Sequence, residues 1–262
     1  MDQALSVNRA FWDEVAPHHA ASDFYAVDAF VAGRDTLGEI ELAEVTEVSG
    51  AELIHLQCHI GLDTLSWARR GARVTGVDFS AASLQIARDL AERIGVPARF
   101  VESDVAAAPD LLRETYDIVF ASRGVLMWIG DLDAWATSCA RLLKPGGVFY
   151  LLDIHPLGMA LEQTADGLQL STSYFTGAAP NITSADASYA VRDVGLVNTE
   201  TREWIHPVGD IVSALIRAGI VIEFLHEFAT DSYAPTTLSA DDQHPGVPQL
   251  PGLFSVRGHR AR

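Results

Sequence analysis

The chain has 262 residues, 48% of them hydrophobic, and its 35 acids against 18 bases leave a net charge of −17. That length suits one large α/β domain, or one domain with a cap, and it is long enough for a full core. The charge argues against nucleic acid or an anionic membrane as a partner, and no apolar run approaches the ~18 residues that a spanning helix needs.

The opening MDQALSVNRAFWDEV carries early acids and no apolar centre, so no signal peptide is expected. The two cysteines, Cys58 and Cys139, fall in a strand-end turn and a predicted helix, which suggests reduced thiols in a cytoplasmic protein. Residues 6–20 read as a short helix, with Phe11 and Val15 on one side, Trp12 and Ala16 beside them, and Pro17 ending it. A second apolar segment, Phe24–Val31, stops at Gly33. Asp35–Val48 offers Leu37, Ile40, Leu42 and Val45 to a core and turns its acids to solvent. These leading helices, within residues 1–50, are placed to cover a ligand mouth.

The organising stretch is ELIHLQCHIGLDTLSWARRGARVTGVD, from Glu52 to Asp78. Glu52–Gln57 reads as a strand, Cys58–Gly61 as a turn, Leu62–Arg70 as a helix stopped by Gly71, and Arg73–Val77 as a second strand running into Asp78. A βαβ unit of this kind binds its ligand at the carboxyl end of the first strand, beside the helix N-terminus. A carboxylate at Asp78 would there accept both hydroxyls of a ribose.

Ser80 is a good N-cap for a helix with Leu84, Ala87, Leu90, Ala91 and Ile94 on one stripe and Gly95 as its stop. Further strands follow at Arg99–Glu102, 116–122 and Val148–Ile154, the last after an amphipathic helix over Asp131–Leu143 and a Pro145-Gly146-Gly147 turn. Strands alternating with helices at this spacing predict a doubly wound, mostly parallel sheet covered on both faces. Residues 51–155 form that core, and 156–206 lose the periodicity and read as an inserted cap. The cap holds the aromatics Tyr174, Phe175, Tyr189 and Trp204. Residues 207–262 complete the sheet with a helix (Gly209–Ala218) and strands Ile220–His226 and Leu253–Arg257, around a proline-rich loop.

Five features in this order resemble the class I S-adenosylmethionine-dependent methyltransferases. They are HLQCHIG after strand one, VTGVDFS, ESDV after strand three, YDIVFAS, and RLLKPGG before strand five. The resemblance implies a seven-stranded Rossmann-like methyltransferase fold, S-adenosylmethionine as cofactor and a small-molecule acceptor as partner. It assigns Asp78 to the ribose, Phe79 to the adenine face and Asp104, with Val105 beside it, to the adenine amino group. Ser122, closing YDIVFAS, joins the cofactor-binding set. The family's first motif usually reads acid-x-Gly-x-Gly-x-Gly, and here those positions are His55, Gln57, His59 and Gly61. A cofactor without phosphates demands no glycine cradle, and Gly61 supplies close backbone approach. The HLQCHxG form is similar to that of bacterial small-molecule methyltransferases. Gln57 is then a partner for the methionine amino group, and Asn8 and Trp12 close over it.

His55, Cys58 and His59 invite a metal reading. On a strand, however, the two histidines would share a face and the cysteine would point away. Zinc sites also usually bring a second ligand pair, so no metal is expected. Of the candidate bases His18, His19, His155 and His206, the pair His155 and His206 brackets the cap and is taken as catalytic. Two other functions stay open at this point. A nicotinamide dehydrogenase would also want Asp78 but lacks its glycine-rich turn, and a methyltransferase-like scaffold or cyclase would bind the cofactor without transferring methyl. The acceptor, the atom methylated and a possible homodimer are left open by the sequence.

Overall fold

The computed structural model describes residues 3–229 and 250–262, apart from 166, 176, 178, 185 and 193. Most of the predicted proline-rich loop, up to residue 249, lies outside the described residues. Three helices lead the chain: α1 (Gln3–Ala20), α2 (Val27–Val31) and α3 (Glu39–Glu44). The α/β alternation follows as β1 (Glu52–Leu56), α4 (Leu62–Arg69), β2 (Arg73–Asp78), α5 (Ala81–Ile94), β3 (Arg99–Glu102) and α6 (Ala108–Leu112). It continues with β4 (Tyr116–Ser122), a 3-10 turn at Leu126–Trp128, α7 (Leu132–Leu142) and β5 (Leu143–Ile154). The remainder is α8 (Pro156–Met159), β6 (Leu161–Thr164), β7 (Gly167–Leu170), β8 (Asn181–Ser184), β9 (Glu200–Glu203), α9 (Val208–Arg217), β10 (Ile220–Phe228) and β11 (Leu253–Arg260).

The main sheet has seven strands in the order β10-β11-β5-β4-β1-β2-β3. Strands β3, β2, β1, β4 and β5 are mutually parallel, and β11 runs antiparallel to both β5 and β10. Side chains alternate faces along each strand, as the two-residue period requires. Ile54, Leu56, Val119, Phe149 and Leu151 pack with Trp135 of α7 and Leu215 of α9. Leu53, Ile118, Phe120, Tyr150 and Leu152 pack on the other face with Trp67 of α4 and with Leu37 and Val45. Beyond them Phe30 of α2, Leu65 of α4 and Leu84 of α5 form a further cluster. The helix boundaries follow local chemistry. Ser80 accepts the Ser83 N–H at 3.1 Å, Gly95 stops α5 at φ +67°, and Asp131 accepts the Ala134 N–H at 2.9 Å to start α7.

Four local expectations are corrected. Helix α1 passes through Pro17 to Ala20, because a proline in the last turn forfeits only its own donor while its carbonyl still accepts the Ala21 N–H at 3.2 Å. The 145–147 turn is a bulge within a longer β5, since Leu143 pairs with Tyr116 and Val148 with Ile118. The 156–206 segment carries two hairpins, β6–β7 and β8–β9, whose short alternation is too weak to read from sequence. Finally, the acids of α3 do not all face solvent. Glu41 is 1% exposed and pairs with Arg123 at 3.0 Å, and Glu44 accepts the Tyr150 hydroxyl at 2.8 Å. Among the described residues no helix is long and apolar enough to cross a membrane.

Removing one member of a buried ion pair leaves the other charge stranded. Arg123→Met should therefore cost about 3 kcal/mol in urea unfolding, and the double variant Glu41→Leu/Arg123→Met should recover most of that loss. If the double variant is no more stable than the single one, the two side chains are not energetically coupled.

Candidate active site

In the sheet β1 lies between β2 and β4, so the carboxyl ends of these three strands meet at the place where strand order reverses. Just past β1 the chain leaves strand geometry. Gln57, His59 and Gly61 take left-handed φ values of 55°, 48° and 78°. For two non-glycine residues that costs of order 1 kcal/mol each. The contorted turn aims the His59 N–H at Asp78 Oδ2 (2.8 Å), and the Ser80 N–H reaches Asp78 Oδ1 (2.8 Å). Burial pushes the Asp78 carboxyl up to about 6; the Ser80 and His59 N–H groups oppose that rise, and the nearby Asp13 carboxylate adds to it.

The same turn corrects the expected alignment of His55 and His59. His55 is still on β1, and its Nδ1 meets the Thr64 hydroxyl at 2.8 Å. His59 lies beyond the strand, so the two-residue period no longer applies. Its Nδ1 meets Ser83 Oγ at 3.0 Å and its Nε2 meets His19 Nδ1 at 3.0 Å. Gly61 lines the cavity and has a packing role as well. A methyl group there would come within 2.8 Å of Ala87 and 3.0 Å of the Phe100 ring, so the glycine serves the packing of α5 and β3.

These elements floor a cavity of about 730 Å³, in the upper part of the range for small-molecule sites. Gln57, His59, Gly61, Asp78, Phe79 and Ser122 all line it, as does Trp12 from α1. Trp12 lies with its ring centre 5.0 Å from His59 and 5.2 Å from Trp128. Gln57 donates from Nε2 to the Val125 carbonyl (2.8 Å), while its Oε1 is buried without a hydrogen-bond partner. A nucleoside carrying an ammonium group fits this donor set: a carboxylate for the ribose, an orphaned carbonyl oxygen for the ammonium, and aromatic walls. Neither Asp104 nor Val105 lines the cavity. The Asp104 carbonyl accepts the Ala107 and Ala108 N–H groups, and Val105 is packed into the core.

Asn8 is also turned away from the cavity. Its amide exchanges two 2.8 Å bonds with the Arg202 main chain and so fastens α1 to β9. His155 and His206 lie outside the large cavity. The His155 ring is held by Glu227 (2.9 Å) and by the Leu157 N–H (3.2 Å), and His206 Nε2 donates to the Ile129 carbonyl (2.7 Å). Burial keeps both imidazoles below their usual range. Of the cap aromatics Tyr189 faces the cavity, whereas Trp204 is buried under Gly130 and Phe175 is 77% exposed. Sequence reasoning passed over Phe24, Tyr25, Asp63, Arg123, Thr201 and Glu203, all on the cavity wall. Only Asp63 left a signal, as an acid breaking the apolar run of α4.

The family model described as "Methyltransferase domain" matches residues 54–147. The ubiquinone biosynthesis O-methyltransferase of Methylobacterium sp. (strain 4-46) is 29% identical over 225 residues, which are 78% of this chain and 84% of that one. Others of the same name reach 34% to 37% identity over only 42% to 44% of their own length. Among solved structures, an S-adenosylmethionine-dependent methyltransferase from Mesorhizobium loti aligns with a TM-score of 0.59 at 21% identity, covering 83% of this chain and 94% of that one. The glycopeptide N-methyltransferase MtfA complexed with S-adenosylmethionine aligns with a TM-score of 0.53 at 17% identity, over 84% and 92%. The fold is that of the class I S-adenosylmethionine-dependent methyltransferases, and residues 54–147 match the methyltransferase domain. The chain is an S-adenosylmethionine-dependent methyltransferase, and S-adenosylmethionine is its cofactor.

If Asp78 takes the ribose, the hydroxyls donate to its ionised form, and burial pushes that carboxyl up to about 6. Affinity for S-adenosylhomocysteine should therefore be level above that pH and fall by up to about tenfold per unit below it. Calorimetry from pH 5 to 8 measures this. In Asp78→Asn the affinity should be low and lack that step, and the same step in the variant would assign the titration elsewhere.

Proposed function

We propose that this enzyme moves the methyl group of S-adenosylmethionine to a small-molecule acceptor held between the sheet edge and the 156–206 segment. The observation that carries this reading is the single cavity shared by Asp78, Gln57 and the aromatic side chains of α1 and the cap. Bound there, the cofactor supplies a methyl group already activated by a positively charged sulfur. The chain's own part is then alignment and exclusion of water. Asp78 fixes the ribose, Phe79 covers one adenine face, and Gln57 Oε1 accepts from the amino group. Phe11, Trp12, Trp128, Tyr25 and Tyr189 wall the acceptor space, and Thr183, Thr201 and Glu203 of the β8–β9 hairpin supply its polar roof.

His155 and His206 carry no proton transfer in this reading, since their rings are engaged away from the cavity. Asp104, expected as the adenine partner from its place after β3, does not line this cavity and takes no part in the reading. The HLQCHIG turn groups the chain with bacterial small-molecule methyltransferases. The free, buried Cys58 and Cys139 support a cytoplasmic setting. The ubiquinone-pathway name of the relatives favours an oxygen acceptor on an apolar body. The test is calorimetry with S-adenosylmethionine, S-adenosylhomocysteine and NAD, followed by product analysis on phenolic acceptors. The first two should bind and NAD should not; tight NAD binding would end the reading.

Residues 1–50 and 156–206 act together as a lid over the 51–155 core in this reading, with 207–262 completing the sheet. The Glu14 carboxylate, which accepts the Val197 and Asn198 N–H groups at 2.7 Å, joins the leading helix to the cap. Hydrogen exchange should show residues 6–31 gaining protection with S-adenosylhomocysteine, and residues 156–206 only once an acceptor is added. Unchanged exchange in both would mean a pre-formed, rigid mouth.

A further inference from the structure

Asp63 is a cavity-wall carboxylate held by hydroxyls, with its nearest cation paired elsewhere. It lies in the first turn of α4, two residues past Gly61. Its Oδ1 accepts the Thr36 hydroxyl at 2.6 Å and its Oδ2 the Ser122 hydroxyl at 3.1 Å. Among the described residues it makes no ion pair. Arg123 lowers its proton affinity from nearby but is committed to Glu41 at 3.0 Å, and Asp35 opposes Arg123. Burial is the largest influence on the group and raises it.

The other acids on the wall are already occupied. Asp35 is held by Arg70 at 2.7 Å and by the Leu37 N–H at 3.0 Å. Asp78 has its two N–H donors, and Glu203 accepts the Thr201 and Thr183 hydroxyls on the cap side. A carboxylate oxygen accepts two bonds, so each Asp63 oxygen keeps one position open. Leaving a half-buried carboxylate with two hydroxyls and no ion pair is costly unless something charged completes it.

The position of Asp63 says what that charged group is. Strands in a sheet lie about 4.8 Å apart, so the β4 edge is about 10 Å from the β2 edge where Asp78 sits. Ser122 and Asp63 line the same cavity as Asp78, so the amino-acid tail of a cofactor with its ribose on Asp78 can reach them across β1. His55 cannot supply the counter-charge there. Burial pushes its imidazole down to about 3, and its Nε2 stands 3.3 Å from Ser122 Oγ as a neutral partner.

We propose that Asp63 is the anchor for the α-ammonium group of the cofactor's amino-acid tail, with Thr36 and Ser122 holding the carboxylate in place and Gln57 Oε1 taking a second N–H. This rests on the reading that the ribose sits on Asp78. The chemistry recognised is a primary ammonium on the tail, and it is separate from the nucleoside.

The experiment is calorimetry on the full chain, wild type and Asp63→Asn, with S-adenosylhomocysteine and with 5′-methylthioadenosine, which keeps the nucleoside and thioether but lacks the tail. The variant should bind S-adenosylhomocysteine at least about tenfold more weakly and 5′-methylthioadenosine within about twofold of wild type. Equal losses for both ligands would mean that Asp63 only supports the 34–37 loop, and no loss for either would mean that the tail lies elsewhere. Either result overturns the proposal. If the variant fails to fold, the wild type is compared on S-adenosylhomocysteine and its analogue with hydrogen in place of the amino group. A loss of about tenfold is expected, and equal affinity overturns the assignment. A wild type that binds neither nucleoside would instead sink the cofactor placement beneath it.

Discussion

The Asp78 carboxylate is the constraint on which the site depends. One oxygen takes the N–H of His59 and the other the N–H of Ser80, so one side chain at the end of β2 fixes both the turn after β1 and the start of α5. A carboxylate bonded to main-chain donors gains more per bond than a neutral acceptor would. That gain offsets the left-handed conformations at Gln57 and His59. It also leaves a lone pair on each oxygen toward the cavity, where a pair of neighbouring hydroxyls can donate. In the proposed reading, the group that shapes the turn is also the group that takes the nucleoside.

The leading helix α1 is the second link between the two halves of the site. Asp13 accepts the Ser80 hydroxyl at 2.7 Å and the Ala82 N–H at 3.1 Å, which joins α1 to the beginning of α5 directly beside Asp78. On its other side Asn8 and Glu14 hold the main chain at 197–202. His19 continues the connection from His59 to Ser188, at 3.0 and 2.7 Å. Burial drives the His19 imidazole to about 4, so this bridge is neutral at physiological pH. In the proposed reading, the acceptor space and the cofactor space are thus joined through one helix.

What the sequence showed and what it hid divides along the range of the interactions. The stripe of Leu84, Ala87 and Leu90 between Ser80 and Gly95 is complete within one helix, and its boundaries are met by the structure. The strand-end position of Asp78 is likewise a local fact. Glu41 looked like a solvated acid because its partner Arg123 is 82 positions away. His155 and His206 looked free because Glu227 and the Ile129 carbonyl, which hold them, come from distant strands and turns. The polar roof of the cavity comes from β8 and β9, whose four-residue strands carry too few alternations to announce a hairpin. The place of Asp63 on the cavity wall was not legible locally, because the Thr36 and Ser122 hydroxyls that hold it lie 27 and 59 positions away.

The most direct test of the placement is a crystal structure of the chain with S-adenosylhomocysteine bound. The account predicts both ribose hydroxyls within hydrogen-bond distance, about 2.5–3.0 Å, of the Asp78 oxygens, with the two N–H bonds from His59 and Ser80 retained. A nucleoside seated elsewhere in the cavity, with Asp78 still facing only the main chain, would contradict it.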